Sequence, residues 1–218
     1  MNNDILRNIG IAGVAAVPFV GGPISFLLDK YVPEESRRRQ SQFLLQLSDD
    51  IELLKDKINY KNMDTPEFKA MLMKMLSASI YEHRKEKLIS YRNILLNVLL
   101  DENMLHFDKS EFFASLVTDL VPDEIKILNI FYQLDVKKVK IPQNFESRHD
   151  IYAIIKGLFH ETNDEYVRAL VNDCMRYNLV SGSPKQKEKY GREGIFITEL
   201  GEEFVEYIFS PREVDFFC

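Results

Sequence analysis

From Asn8 to Leu28 the chain has no ionisable side chain, yet this run holds four glycines and two prolines. Apolar surface of that extent must be sheltered, either in lipid or against helices of the same chain. The length suffices for a bilayer crossing of about 20 residues. However, Pro18, Gly21, Gly22 and Pro23 fall at its centre. Pro23 removes a helical hydrogen bond, and the glycine pair favours a turn. Residues 1–33 therefore read as a leader hairpin of two short apolar helices rather than one spanning helix. A secretory signal fits poorly too: Arg7 is a single early cation, the Pro-Phe-Val-Gly-Gly-Pro core interrupts a helix, and no small-residue cleavage site is evident.

Three arginines, Arg37, Arg38 and Arg39, follow the leader. If the hairpin inserts, they sit beside anionic headgroups. If it packs on its own bundle, they form a solvated first helical turn. The residues expected to mediate membrane insertion or self-association are Val17, Pro18, Phe19, Val20, Gly21, Gly22, Pro23, Ile24 and Phe26, with these arginines. The rest of the composition is that of a globular protein, 45% hydrophobic over 218 residues. Its two cysteines, Cys174 and Cys218, make no disulfide framework and favour a reducing cytoplasm. The net charge of −6 is carried wholly by residues 111–218, residues 1–110 being balanced. That distribution argues against a basic, nucleic-acid-binding domain.

A helical bundle is expected over 34–107. Phe43, Leu44, Leu47, Ile51, Leu54 and Ile58 recur at steps of three and four on one helix of roughly 34–59. Asn59 to Asp64 reads as a polar connection. Thr65-Pro66-Glu67 is a helix start, with an N-cap hydroxyl, a proline in the first turn and an acid near the positive helix end. Phe68, Met71, Leu72, Met75 and Leu76 form its apolar face. The run 82-EHRKEK-87 is polar all round, and the stripe resumes at Leu88, Tyr91, Leu95 and Val98. One long helix or two with a break in the charged run both fit.

From 108 to 218 the texture changes to short, capped elements, with helices over Phe112–Leu120 and Pro122–Leu134. Ser147-x-x-Asp150 opens a helix from Ile151 to Leu158. Thr162-x-x-Glu165 is a capping box for a helix through Tyr177, with Asn178 as a left-handed C-cap. Then come Leu179-Val180, a polar loop from Ser181 to Gly194, Ile195-Phe196-Ile197 as a strand, and a helix from Thr198. The order of three helices, a two-stranded ribbon and a closing helix describes a winged helix-turn-helix. The run 195-IFITELGEEFVEYI-208 resembles the common ending of winged-helix domains, a strand leading into a Leu-Gly-x-x-Phe helix. The core expected over 120–210 includes Ile125, Leu128, Ile154, Leu170, Cys174, Ile197 and Phe204.

A second resemblance covers 91-YRNILLNVLL-100 and 112-FFASLVTDLVPDEIKIL-128. Asn93, Leu95, Leu96, Leu120, Pro122 and Asp123 match the helix, short helix and Leu-x-Pro-acid pattern of bacterial proteins of the abortive-infection alpha type. Val17 to Ser25 is similar to the Val-Pro-x-Val-Gly-Gly-Pro-Ile-Ser leader of small bacterial and phage-borne proteins. The resemblance implies a role in phage defence at the membrane.

Catalytic chemistry is not legible. His83, His106, His149 and His160 have no Cys or His partner at metal-ligand spacing. Gly10, Gly13, Gly21 and Gly22 form no phosphate loop, as no Gly-Lys-Ser/Thr follows them. No nucleophile motif occurs, so neither an enzyme nor a cofactor is expected. For nucleic acid, Arg168 and Arg176 stand on a presumed recognition helix against Asp164, Glu165 and Asp173. The basic set Lys185, Lys187, Lys189 and Arg192 lies on the wing loop and suits a phosphate backbone. The sequence thus points to a mainly α, non-enzymatic defence-type effector or sensor. It would be cytoplasmic or peripheral to the inner face of the membrane, with a winged helix for a protein partner or self-association. The alternative is a DNA-binding transcriptional regulator, which the acidic C-terminal half disfavours.

Overall fold

The computed structural model describes residues 34–101, 107–137, 155, 157, 163–182 and 194–209. The expected leader hairpin, the expected Ile151–Leu158 helix apart from Ile155 and Gly157, and the loop carrying Lys185, Lys187, Lys189 and Arg192 lie outside them. Among the described residues the chain is mainly α, with eight helices of four or more residues and one two-stranded antiparallel ribbon. It divides into two compact units between Asp119 and Leu120.

In the first unit, α1 spans Glu34–Leu53, with two acids in its first turn as the helix dipole favours. Phe43, Leu44 and Leu47 are buried. The helix stops well short of residue 59. Leu54 N–H is shared between the carbonyls of Asp50 and Ile51, and Asn59 N–H donates to the Leu99 carbonyl at 2.8 Å. That tertiary bond redirects the chain, so a turn, not the helix, delivers buried Ile58. The expected polar connection contains a short helix, α2 (Tyr60–Met63), with Asn62 and Met63 buried. Asn62 Nδ2 donates to the carbonyls of Val98 (2.8 Å) and Asp101 (2.6 Å).

Helix α3 spans Pro66–Tyr81 and begins as its sequence predicts: Thr65 Oγ1 accepts from Phe68 N–H at 3.2 Å, and proline occupies the first turn. Two helices follow Thr65 rather than one, because the chain is extended at Glu82 and Arg84 before α4 (Lys85–Leu100). Helix α5 spans Phe107–Asp119, starting earlier than the expected Phe112. It buries Phe113, Leu116 and Val117 and packs on α4 and α3. It therefore groups with the first unit.

In the second unit, α6 spans Pro122–Asp135, and the Glu124 carboxylate accepts from Val121 N–H at 2.6 Å. Helix α7 spans Asp164–Arg176. Its cap is Asn163, not Thr162: the Asn163 side-chain oxygen accepts from Tyr166 N–H at 2.7 Å, which leaves Asp164 and Glu165 as first-turn acids. Asn178 takes a left-handed φ of 56°. Leu179 N–H then reaches back to the Cys174 carbonyl at 3.0 Å, closing the helix end. Strands β1 (Val180–Ser181) and β2 (Phe196–Ile197) pair with Val180 opposite Ile197. Helix α8 (Glu199–Ile208) is capped by Thr198, whose hydroxyl accepts from Gly201 N–H and donates to the Asn178 carbonyl.

Gly201 sits where no side chain fits. A Cβ there would overlap the Leu179 carbonyl oxygen and approach Ile197 Cγ1 to 2.8 Å. Buried Asp135 accepts from Ile197 N–H at 3.0 Å, giving β2 a second hydrogen-bond partner. Ile125, Leu128, Leu170, Cys174, Ile197 and Phe204 are all buried, as expected. Ile154 lies outside the described residues, and its neighbour Ile155 is buried.

Candidate functional site

The strongest surface candidate is the outer face of α7. Val167, Leu170, Val171 and Cys174 turn inward, while Glu165, Arg168, Ala169, Asn172, Met175 and Arg176 are exposed. Both arginines singled out in the sequence, Arg168 and Arg176, thus stand on one outer surface. The Arg176 guanidinium lies 3.5 Å from Asp173 and 4.9 Å from the Tyr177 ring centroid. Tyr166 OH donates to Asp123 Oδ2 at 3.3 Å, tying α7 to the start of α6. Burial pushes the Cys174 thiol up, and the charges of Glu124 and Asp173 add to this, so it is no thiolate nucleophile. Burial likewise raises the Glu124 carboxyl, against the bond from Val121 N–H.

The arginines after the leader are placed differently from one another. Arg38 is exposed and Arg37 half-buried. Arg39 Nη2 donates to Ser36 Oγ (3.0 Å) and to the Ile80 carbonyl (2.7 Å), so it caps the C-terminal end of α3. Gln40 adds a bond to the Leu76 carbonyl at 3.0 Å. Val17, Pro18, Phe19, Val20, Gly21, Gly22, Pro23, Ile24 and Phe26 lie outside the described residues, as do Lys185, Lys187, Lys189 and Arg192.

A polar node of the first unit escapes the sequence altogether. In the charged run 82–87, Glu82 is only 9% exposed and the Lys87 side chain 3%. Glu82 Oε1 accepts from the N–H groups of His83 and Arg84, each at 3.0 Å. The Arg84 guanidinium adds a two-pronged pair, Nε to Oε1 at 2.6 Å and Nη2 to Oε2 at 2.7 Å. Lys87 Nζ lies 3.8 Å from Oε2 and donates to the Thr118 carbonyl at 2.8 Å. Burial alone would raise this carboxyl, but the Arg84 hydrogen bonds and charge, with the charge of Lys87, outweigh it and hold it at about 2. A carboxylate so committed exchanges no proton near neutral pH. The node joins the α3–α4 break to the end of α5 and acts as a brace. Arg92 makes a second tie, reaching Asp50 at 3.0 Å and Gln46 at 2.6 Å across from α4 to α1.

No group of three or more His, Cys, Asp or Glu side chains that could hold a metal occurs among the described residues. No described helix is long and apolar enough to cross a membrane. No protein-family model, no curated protein and no solved structure matches the chain.

Proposed function

We propose that the chain is a non-enzymatic, defence-type effector or sensor of bacterial or phage-borne origin. In this reading the second unit is a winged helix that binds protein, and the leader of residues 1–33 acts on membranes. The observation that carries it is the run α7, β1, β2 and α8: a helix with an exposed outer face, an antiparallel ribbon and a closing helix. A winged helix likewise has a helix, an antiparallel ribbon and a closing helix in succession, and this likeness supports the reading. The leader's part rests on its uncharged Gly/Pro sequence and on the resemblance to abortive-infection proteins.

A second reading, a DNA-binding regulator, draws on the exposure of Arg168 and Arg176 together with the basic loop at Lys185, Lys187, Lys189 and Arg192. Asp164, Glu165 and Asp173 on the same helix oppose phosphate. Duplex binding by the intact protein at low salt separates the two. Protein recognition requires no measurable shift. Binding whose salt dependence flattens when Lys185, Lys187, Lys189 and Arg192 are changed to Ser would favour the regulator and sink the protein-binding reading.

A further inference from the structure

We propose that the outer face of α7 pairs with the same face of a second copy of this chain, antiparallel and about a two-fold axis. The inference rests on the reading of the second unit as an interaction module and names its partner. Glu165, Ala169, Asn172 and Arg176 are all exposed and stand at steps of four, three and four. Side chains so spaced line one straight stripe of a helix. The stripe is acidic at its start, small and neutral in its middle and basic at its end.

Such a stripe is complementary to itself in one direction only. With the two-fold axis at the level of the Leu170–Val171 peptide, Glu165 faces Arg176 of the second copy and Ala169 faces Asn172 of the second copy. Each pairing occurs twice, as an isologous contact demands. Parallel packing would instead set Glu165 against Glu165 and Arg176 against Arg176. Ala169 lets the backbones approach at the centre, and antiparallel helix dipoles attract. Tyr166 (41% exposed) borders one edge of the stripe and Met175 (37% exposed) the other, giving apolar cover to the charged pairs. Arg176 is already steadied by Asp173 and Tyr177, which reduces the ordering cost of pairing.

Helix α7 has 13 residues, about 20 Å of contact length. One helix pair of that size buries less than the ~1,200–2,000 Å² of a standard stable interface, so the dimer is weak.

Sedimentation equilibrium of the full chain across the micromolar to millimolar range tests this, alongside E165R, R176E and an equimolar mixture of the two. Each substitution is at an exposed position, and circular dichroism checks that each variant is folded. The wild type should show a monomer–dimer equilibrium. Each single variant sets like charges opposite one another at two places and should lower the association constant about tenfold or more. The mixture should restore association, since E165R and R176E are then complementary at both contacts. A wild type that stays monomeric throughout overturns the proposal. So does a dimer indifferent to both substitutions, which would place self-association elsewhere in the chain, or a mixture that fails to recover. None of these outcomes touches the interaction-module reading itself, which the duplex-binding test addresses separately.

Discussion

Replacing Glu82 by Gln should weaken the first unit markedly. The substitution keeps the shape of the side chain and one acceptor oxygen for the His83 and Arg84 N–H groups. It removes the charge that Arg84 grips with two hydrogen bonds and that Lys87 approaches to 3.8 Å. A carboxyl held at about 2 instead of 4.5 corresponds to roughly 3 kcal/mol of extra stability in its ionised form. With the retained amide contacts subtracted, the expected loss at neutral pH is about 2–3 kcal/mol. Because the folded-state value is depressed, this contribution is complete above the unfolded carboxyl's pKa of 4.5 and fades as pH falls from there towards 2. Urea denaturation of wild type and E82Q, followed by far-UV circular dichroism and fitted for two units, should therefore show a gap that narrows between neutral pH and pH near 2. Hydrogen exchange of the α4 amides assigns the loss to the first unit. A gap below about 0.5 kcal/mol at neutral pH, or one that does not change with pH, would refute the brace.

Three further outcomes are expected in the second unit. Phe204→Ala should cost about 3–5 kcal/mol by urea denaturation, since the ring is completely buried. Gly201→Ala should cost about 2–4 kcal/mol or displace α8, because its methyl group meets the Leu179 backbone carbonyl as well as the Ile197 side chain, and the backbone cannot turn aside. Asn178→Gly should be nearly neutral at the left-handed φ, whereas Asn178→Val should cost about 1–2 kcal/mol in the same assay.

What the sequence makes legible is what local chemistry decides. Thr65-Pro66 starts a helix because the hydroxyl and the fixed φ act within four residues, and Asn178 ends one for the same reason. The inward set Val167, Leu170, Val171 and Cys174 follows from helical spacing alone. The polar ties are different in kind. Glu82 sits in a run whose other members are mostly solvated, and nothing in that run tells that Glu82 is buried beside Lys87, which itself reaches the Thr118 carbonyl of α5. Asn62 looks like loop chemistry until its amide meets the end of α4, and Arg39 like a headgroup contact until the end of α3 arrives. The cap of α7 shows the limit on a finer scale. Thr162 and Asn163 are both good capping residues, and the choice between them depends on where the helix axis lies.

The functional proposal meets its most direct test in membrane permeabilisation. Dye release from anionic vesicles and growth of bacteria expressing the intact protein would be measured together, for the wild type and for a variant carrying Phe19→Asp and Val20→Asp. Those changes put charge at the centre of the apolar leader, where lipid burial is costly. The expected result is dye release and slowed growth with the wild type and neither with the variant. Equal dye release and equal growth for two folded, soluble proteins would contradict a membrane-acting leader.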